Sequence, residues 1–364
     1  MSLKALITGA NGLIGANLIR ELIRDDNEVI AFVRSTSDLT SLKNIQVKFA
    51  YGDVLDLDSL IVAAEGCDVI FHTAAVFTLQ ASETLENKRI AIEGTKNIIK
   101  AAHRCQIKRV ILTASSVIFG SSMERSIRDE TSKLSEIDEP SYVYTKKEQH
   151  NVAFSYAKKL SVELIAVCPT MVLGPHSLRL GPSNGIIVSY LNDKTRSTYP
   201  GGCNIVSVLD VAKGHILAAK RGQAYQNYIL GGENLDWKTI HSKIAVLSGV
   251  SSPYWQCGYT QTYIAAGIHE ALSLITKQPL LTSRSQAKMV GKYYWYSHQK
   301  IQKIGYSPIK TEITLAAAIS WLAASIHISN SIRKDLNLSD QVYQAREKYR
   351  QYELSFQENQ SERI

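Results

Sequence analysis

The chain has 364 residues, 45% hydrophobic and 20% charged, with a formal net charge of +8 at pH 7. That composition suits one large or two smaller globular domains and excludes disordered, collagen-like and disulfide-stapled chains. No apolar run reaches the ~18 residues of a membrane span, the basic residues are scattered rather than gathered into a stripe for nucleic acid, and the five widely spaced cysteines form no C-x-x-C pair for zinc.

The chain opens with K-A-L-I-T-G-A-N-G-L-I-G (Lys4 to Gly15). An apolar strand stops at Gly9, and Leu13, Ile14, Leu18, Ile19, Leu22 and Ile23 then recur at helical spacing. Strand, glycine turn and helix make a dinucleotide-binding signature. The first glycine lets the backbone turn, the second lets a pyrophosphate approach, and the third lets helix and strand pack closely. Free N–H groups at the helix N-terminus then face an anion, so Gly9, Asn11, Gly12, Leu13 and Ile14 are candidate cofactor contacts. The apolar start belongs to this strand, so no separate signal region is expected.

Further strands are predicted at 28–33, 47–51, 68–72, 109–113 and 162–167, with helical segments between them, for example Thr95 to Cys105. Such alternation predicts an α/β fold, a Rossmann-type doubly wound parallel sheet. Ligands of such sheets sit at the carboxyl ends of the strands, where Asp53, His72, Thr73, Ser115 and Ser116 fall. Residues 1–170 are read as the nucleotide-binding domain, with 204–230 returning to it. Residues 171–203 and 231–330 are read as a smaller substrate-binding lobe. The tail, 331–364, is polar and helical in composition. It reads as a surface helix or a candidate homodimer contact.

Tyr142 and Lys146 stand four apart in S-Y-V-Y-T-K-K-E, on one helix face. An ammonium beside a phenol favours the phenolate and lowers the tyrosine from its usual pKa of about 10. Tyrosine can then exchange a proton with an alcohol or ketone. A plain surface pair is the alternative, and Tyr144 is a competitor. Ser115 and Ser116 follow the fifth strand, where a hydroxyl can hold a carbonyl oxygen or simply cap the strand end.

Taken in order, T-G-A-N-G-L-I-G, Y-G-D-V-L-D, H-T-A-A, E-G-T-K-N, A-S-S-V-I-F-G, Y-V-Y-T-K and C-P-T-M-V-L-G-P resemble the extended short-chain dehydrogenase/reductases. The resemblance runs from Lys4 to about Leu322. N-I-V-S-V-L-D-V-A-K-G-H-I-L-A-A and N-Y-I-L-G-G-E-N-L resemble the dihydroflavonol reductase-like branch, including bacterial members labelled hopanoid-associated sugar epimerases. The resemblance implies a Ser-Tyr-Lys triad of Ser115, Tyr142 and Lys146, with Ser116 in reserve. Lys146 would also hold the nicotinamide ribose. It further implies that Asp53 and Val54 hold the adenine, that Thr73, Ala74 and Ala75 line the cofactor, and that Pro169, Thr170, Met171 and Val172 flank the nicotinamide. One departure is Ala91, which stands where the family often has Asn.

An acid past the second strand would bind a ribose 2′-hydroxyl, and an Arg would suit a 2′-phosphate. Here Arg34 holds that position, with Ser35, Thr36 and Ser37 beside it, so NADP(H) is expected over NAD(H). The expected activity is reduction of a ketone or aldehyde, or its reverse, on a small-molecule substrate in the cytoplasm. A sugar epimerase with retained NAD and a non-catalytic dinucleotide-binding protein are the alternatives. Phe77, Phe119, Met171, His176 and Tyr190 are candidate pocket residues, with Ser116, for a substrate carrying a ring or apolar part.

Overall fold

The apolar segments of the first two thirds of the chain pair into a single parallel sheet. The structure, a computed structural model, describes residues 2–74, 85–134, 138–276 and 283–361. The chain begins with β1 (Lys4–Thr8), α1 (Leu13–Arg24), β2 (Glu28–Val33), β3 (Lys48–Tyr51), α2 (Leu57–Ala64) and β4 (Val69–His72). It continues through α3 (Leu85–Arg104), β5 (Arg109–Thr113), α4 (Ser141–Lys159), β6 (Glu163–Pro169), β7 (Met171–Leu173) and α5 (Pro182–Asn192). Next come β8 (Ser197–Thr198), β9 (Gly202–Ser207), α6 (Val208–Arg221), β10 (Asn227–Leu230), β11 (Glu233–Asp236) and α7 (Trp237–Ser248). Then follow β12 (Trp255–Gln256), α8 (Tyr259–Thr276), α9 (Arg284–Ala287), β13 (Tyr293–Tyr294) and α10 (Gln299–Gln302). The last helices are α11 (Thr311–Ala324), α12 (Asn330–Asp335) and α13 (Asp340–Ser361).

The seven strands lie in the order β3-β2-β1-β4-β5-β6-β10, every neighbouring pair parallel. This is the doubly wound Rossmann-type α/β fold expected above. The strands are rich in Val, Ile, Leu and Phe because both faces are covered. One face packs against Leu18, Ile19 and Leu22 of α1 and Val211 and Ala212 of α6. The other packs against Leu60 of α2, Ile98 and Ile99 of α3 and Ala153 of α4. The strand order reverses between β1 and β4, which opens a crevice at their carboxyl ends.

A second, four-stranded sheet of β7, β9, β11 and β13 forms beyond those ends. Its core includes Ile187, Leu191, Ile205, Ile240, Leu315 and Ile319. Within 204–230, α6 packs on α1 and β10 closes the large sheet, whereas β9 belongs to the small one. The cleft runs between the two.

The polar composition of the tail conceals its packing. α13 carries enough apolar residues at helical spacing to bury Val342 and Phe356, and it touches α1, α7 and α11. Its polar face also has partners. The Tyr352 hydroxyl donates to Glu21 Oε1 at 2.8 Å, and Arg20 Nε donates to Glu353 Oε1 at 3.3 Å. Arg20 is itself buried, with Nη1 also donating to the carbonyls of Ala16 and Ser41. The tail is therefore a surface helix, as expected, but one docked on the fold through Val342, Phe356, Tyr352 and Glu353. Phe356→Ala is expected to cost about 3–5 kcal/mol, seen as a lower denaturation midpoint; a midpoint within experimental error of wild type would show that the helix end does not dock.

Candidate active site

The glycine turn closes on itself through backbone contacts. Gly9 has φ +70°, and Gly12 N donates to Gly9 O at 3.0 Å. A Cβ on Gly9 would come within 2.6 Å of the Ala74 backbone, and one on Gly15 would lie 2.2 Å from Gly9 O. β1, α1 and the segment after β4 thus meet where only glycine fits. α1 begins at Leu13 with no side-chain cap on Gly12 and no acid in its first turn, so its leading N–H groups are left for an anion. Thr73 secures the neighbouring strand end, its N and Oγ1 both donating to Thr8 O.

These elements line a cleft of about 2440 Å³, well beyond the roughly 300–1,000 Å³ of an ordinary ligand pocket. Gly9, Asn11, Gly12, Leu13, Ile14, Arg34, Asp53, Val54, Thr73 and Ala74 line one end. Ser115, Ser116, Tyr142, Pro169, Thr170, Met171, Val172 and Tyr190 line it further along. Tyr190 forms a wall rather than a free phenol, since its hydroxyl donates to Ser251 O and its ring stacks on His241. Ala75 and Phe77 lie outside the described residues.

Two expected pocket residues are not brought to the cleft. Phe119 is buried in the core of the second lobe because the 3₁₀ turn Ser116–Phe119 directs it inward. His176 sits at φ +63° on the far side of its loop, between Trp321 and Tyr349. Its Nε2 lies 3.3 Å from Glu353 Oε1, yet burial, reinforced by Arg20, pushes its pKa down to about 2, so the ring is neutral. Its role is to pack the α13 junction.

Tyr142 and Lys146 sit on successive turns of α4. Tyr142 is half-buried at the cleft wall, and Lys146 is buried behind it. Tyr144 points elsewhere: it is 48% exposed, and its hydroxyl accepts from Glu139 N at 3.5 Å. Lys146 Nζ donates to Gln149 Oε1 at 3.1 Å, and Gln149 Nε2 donates to Thr95 Oγ1 at 2.9 Å. The Thr95 hydroxyl spends its hydrogen on Ala91 O at 2.7 Å, so it accepts from His72 Nε2 at 3.2 Å. His72 Nδ1 must then accept from the Thr8 hydroxyl at 2.7 Å. Burial, aided by Lys146, pushes the His72 pKa down to about 3 and keeps this ring neutral.

Residue pairing alone does not reveal the far wall. Tyr296 lines the cleft beside Ser116 and donates to Gly120 O at 2.9 Å. Buried Glu139 accepts from Ser121 and Tyr294 and faces Lys292 at 3.4 Å, which joins the start of α4 to β13. Tyr294 and Lys292 stand 155 and 153 residues from Glu139, and Tyr296 stands 176 from Gly120, so no local spacing announces them.

A family model described as the NAD dependent epimerase/dehydratase family matches residues 5–231. The chain belongs to this family. Among similar proteins, a provisional dihydroflavonol 4-reductase of Synechocystis sp. is 27% identical over 322 residues, 86% of this chain and 93% of that one. Sterol demethylase protein B of Methylococcus capsulatus is 25% identical over 87% of this chain and 97% of its own. Cinnamoyl-CoA reductase 2 of Medicago truncatula is 30% identical over 61% of this chain and 70% of its own. The crystal structure of gox2253 superposes with a TM-score of 0.78 at 27% identity, covering 89% of this chain and 99% of that one. UDP-glucose 4-epimerase of Thermus thermophilus, solved with NAD, shares the fold at a TM-score of 0.70 and 17% identity, covering 89% and 100%. As a member of the NAD dependent epimerase/dehydratase family, the chain is an enzyme that uses a nicotinamide dinucleotide. Its residues fit that cofactor: the three close glycine approaches and the uncapped start of α1 make a phosphate cradle.

Burial holds His215 and His241, like His72, below the usual imidazole pKa. His72 falls to about 3, and His215 and His241 fall to about 4. Unfolded histidine titrates near 6.5, so between these values the unfolded chain binds more protons. The stability these rings provide is complete above about pH 6.5 and declines as pH falls toward 4, by roughly 1.4 kcal/mol per ring per pH unit. Urea denaturation at pH 7 and pH 5 is expected to show a clearly lower midpoint at pH 5; equal midpoints would mean that the rings are not held neutral.

Proposed function

We propose that the protein is an NADP-dependent oxidoreductase that reduces a ketone or aldehyde to an alcohol, or runs the reverse. The observation that carries this reading is the position of Tyr142 and Ser115 in the cleft that holds the glycine turn, with Lys146 one helical turn behind Tyr142. When bound, the nicotinamide supplies hydride chemistry. Ser115 donates a hydrogen bond to the substrate oxygen, and Tyr142 gives that oxygen a proton. Lys146 favours the phenolate that Tyr142 leaves behind. The named reductases among the relatives support reduction. Ser116 and Val117, which follow Ser115, offer no carboxylate of the kind an elimination would use.

Arg34 supports NADP. It is exposed at the cleft rim, with Thr36 and Ser37 lining the same stretch; its carbonyl accepts from Ser37 N, whereas its guanidinium has no hydrogen bond or ion pair among the described residues. A guanidinium there is available for a 2′-phosphate. Asp38 is otherwise engaged: its Oδ1 accepts from Thr40 N and its carbonyl from Asn11 Nδ2.

Tyr142→Phe is expected to lower turnover of carbonyl substrates by at least ~10²-fold while NADPH binding stays within about threefold; retained turnover would remove Tyr142 from the mechanism. Arg34→Ala is expected to raise the Michaelis constant for NADPH roughly tenfold and leave that for NADH nearly unchanged, a loss of about 1.4 kcal/mol. An intrinsic preference for NADH, unchanged in this variant, would contradict the NADP reading. Cofactor that co-purifies and does not exchange would point to epimerisation instead.

A further inference from the structure

We propose that Gln149 is a positioning residue for Lys146, the head of a buried hydrogen-bond chain that holds the lysine ammonium at the cofactor cleft and ties it to the end of β1. The inference rests on the reading of Tyr142 and Lys146 given above and extends it to residues that never touch substrate.

The donor directions leave little freedom. Lys146 Nζ can only donate, so Gln149 must turn Oε1 toward it and Nε2 toward Thr95. Thr95 has one hydrogen, which goes to Ala91 O, and its oxygen then receives both Gln149 and His72. His72 is thereby fixed as the Nε2–H tautomer, and its Nδ1 receives Thr8. Thr8 immediately precedes Gly9, whose turn cradles the phosphates. Lys146, Gln149, Thr95, His72 and Thr8 are all at most 5% exposed. In such surroundings an ammonium that loses a buried acceptor is costlier to keep charged. The chain has a neutral imidazole at its centre, so it presents Lys146 with an acceptor but no competing negative charge. This hydrogen-bond chain therefore holds Lys146 without cancelling its positive charge. A carboxylate at position 149 would also hold the ammonium, but it would divert that charge.

The test uses the full-length protein and two substitutions. Gln149→Met keeps the length of the side chain and removes the acceptor, and Thr95→Val keeps its shape and removes the hydroxyl that orients Gln149. NADPH affinity is measured by fluorescence titration from pH 7 to pH 9, with circular dichroism as the check on folding. Gln149→Met is expected to weaken NADPH about tenfold at pH 9 and no more than threefold at pH 7, because the ammonium, with one buried acceptor fewer, gives up its proton earlier. Thr95→Val is expected to move in the same direction by less, and it carries the test if Gln149→Met does not fold. A loss equal at every pH would indicate ordinary structural damage and overturn the proposal, as would wild-type affinity in both folded variants. A wild-type protein that binds neither NADPH nor NADH would overturn the dinucleotide reading and this inference together. Wild-type binding with unchanged variants would overturn this inference alone.

Discussion

A single carbonyl oxygen, Gly9 O, sets the geometry on which the rest of the molecule depends. It accepts from Gly12 N, and it lies so close to Gly15 that any side chain there would clash. Gly9 itself abuts the backbone of Ala74. The end of β1, the start of α1 and the distant segment after β4 therefore converge on a few ångströms of bare backbone, and α1 starts with its amides facing the cleft. Every other site residue is placed relative to that point. Asp53 and Ser115 lie just beyond, and Pro169 at, the ends of strands parallel to β1, and Tyr142 reaches the cleft from a helix packed on the same sheet.

Parallel register turns a one-dimensional pattern into a site. Because all seven strands run the same way, the polar residues that end each apolar run gather on one edge of the sheet. This is why so much of the cleft could be read from the sequence. Gly9, Asp53, Thr73 and Ser115 each interrupt a buried strand pattern, and each lines the cleft. Tyr142 was separated from Tyr144 only by the helix, which turns one phenol to the cleft and the other to solvent.

What the sequence concealed depends on direction and distance. Phe119 and His176 are apolar or aromatic residues next to site motifs, and nothing in their spacing shows that the local turns carry them into the core or behind it. Tyr296 and Lys292 flank β13 and contact Gly120 and Glu139, 176 and 153 residues earlier in the chain. Gln149 lies within one helical turn of Lys146 and was available to a reading by i, i+3 spacing, but its link to Thr95 depends on how α3 packs against α4. The tail misleads for a related reason. Its Glu, Arg and Tyr residues resemble a solvated surface in composition, whereas Tyr352 and Glu353 are satisfied by α1.

That last contact bears on the order in which the protein can be completed during synthesis. α1 emerges well before α13, yet Arg20 and Glu21 on its outer face find their α13 partners 333 and 331 residues later. Until then Arg20 Nε lacks its carboxylate partner, and the patch that receives Phe356 must remain open. The nucleotide-binding half therefore cannot finish as an independent unit while the remainder is being made, although amino-terminal domains generally fold first. Its final consolidation waits for the far end of the chain.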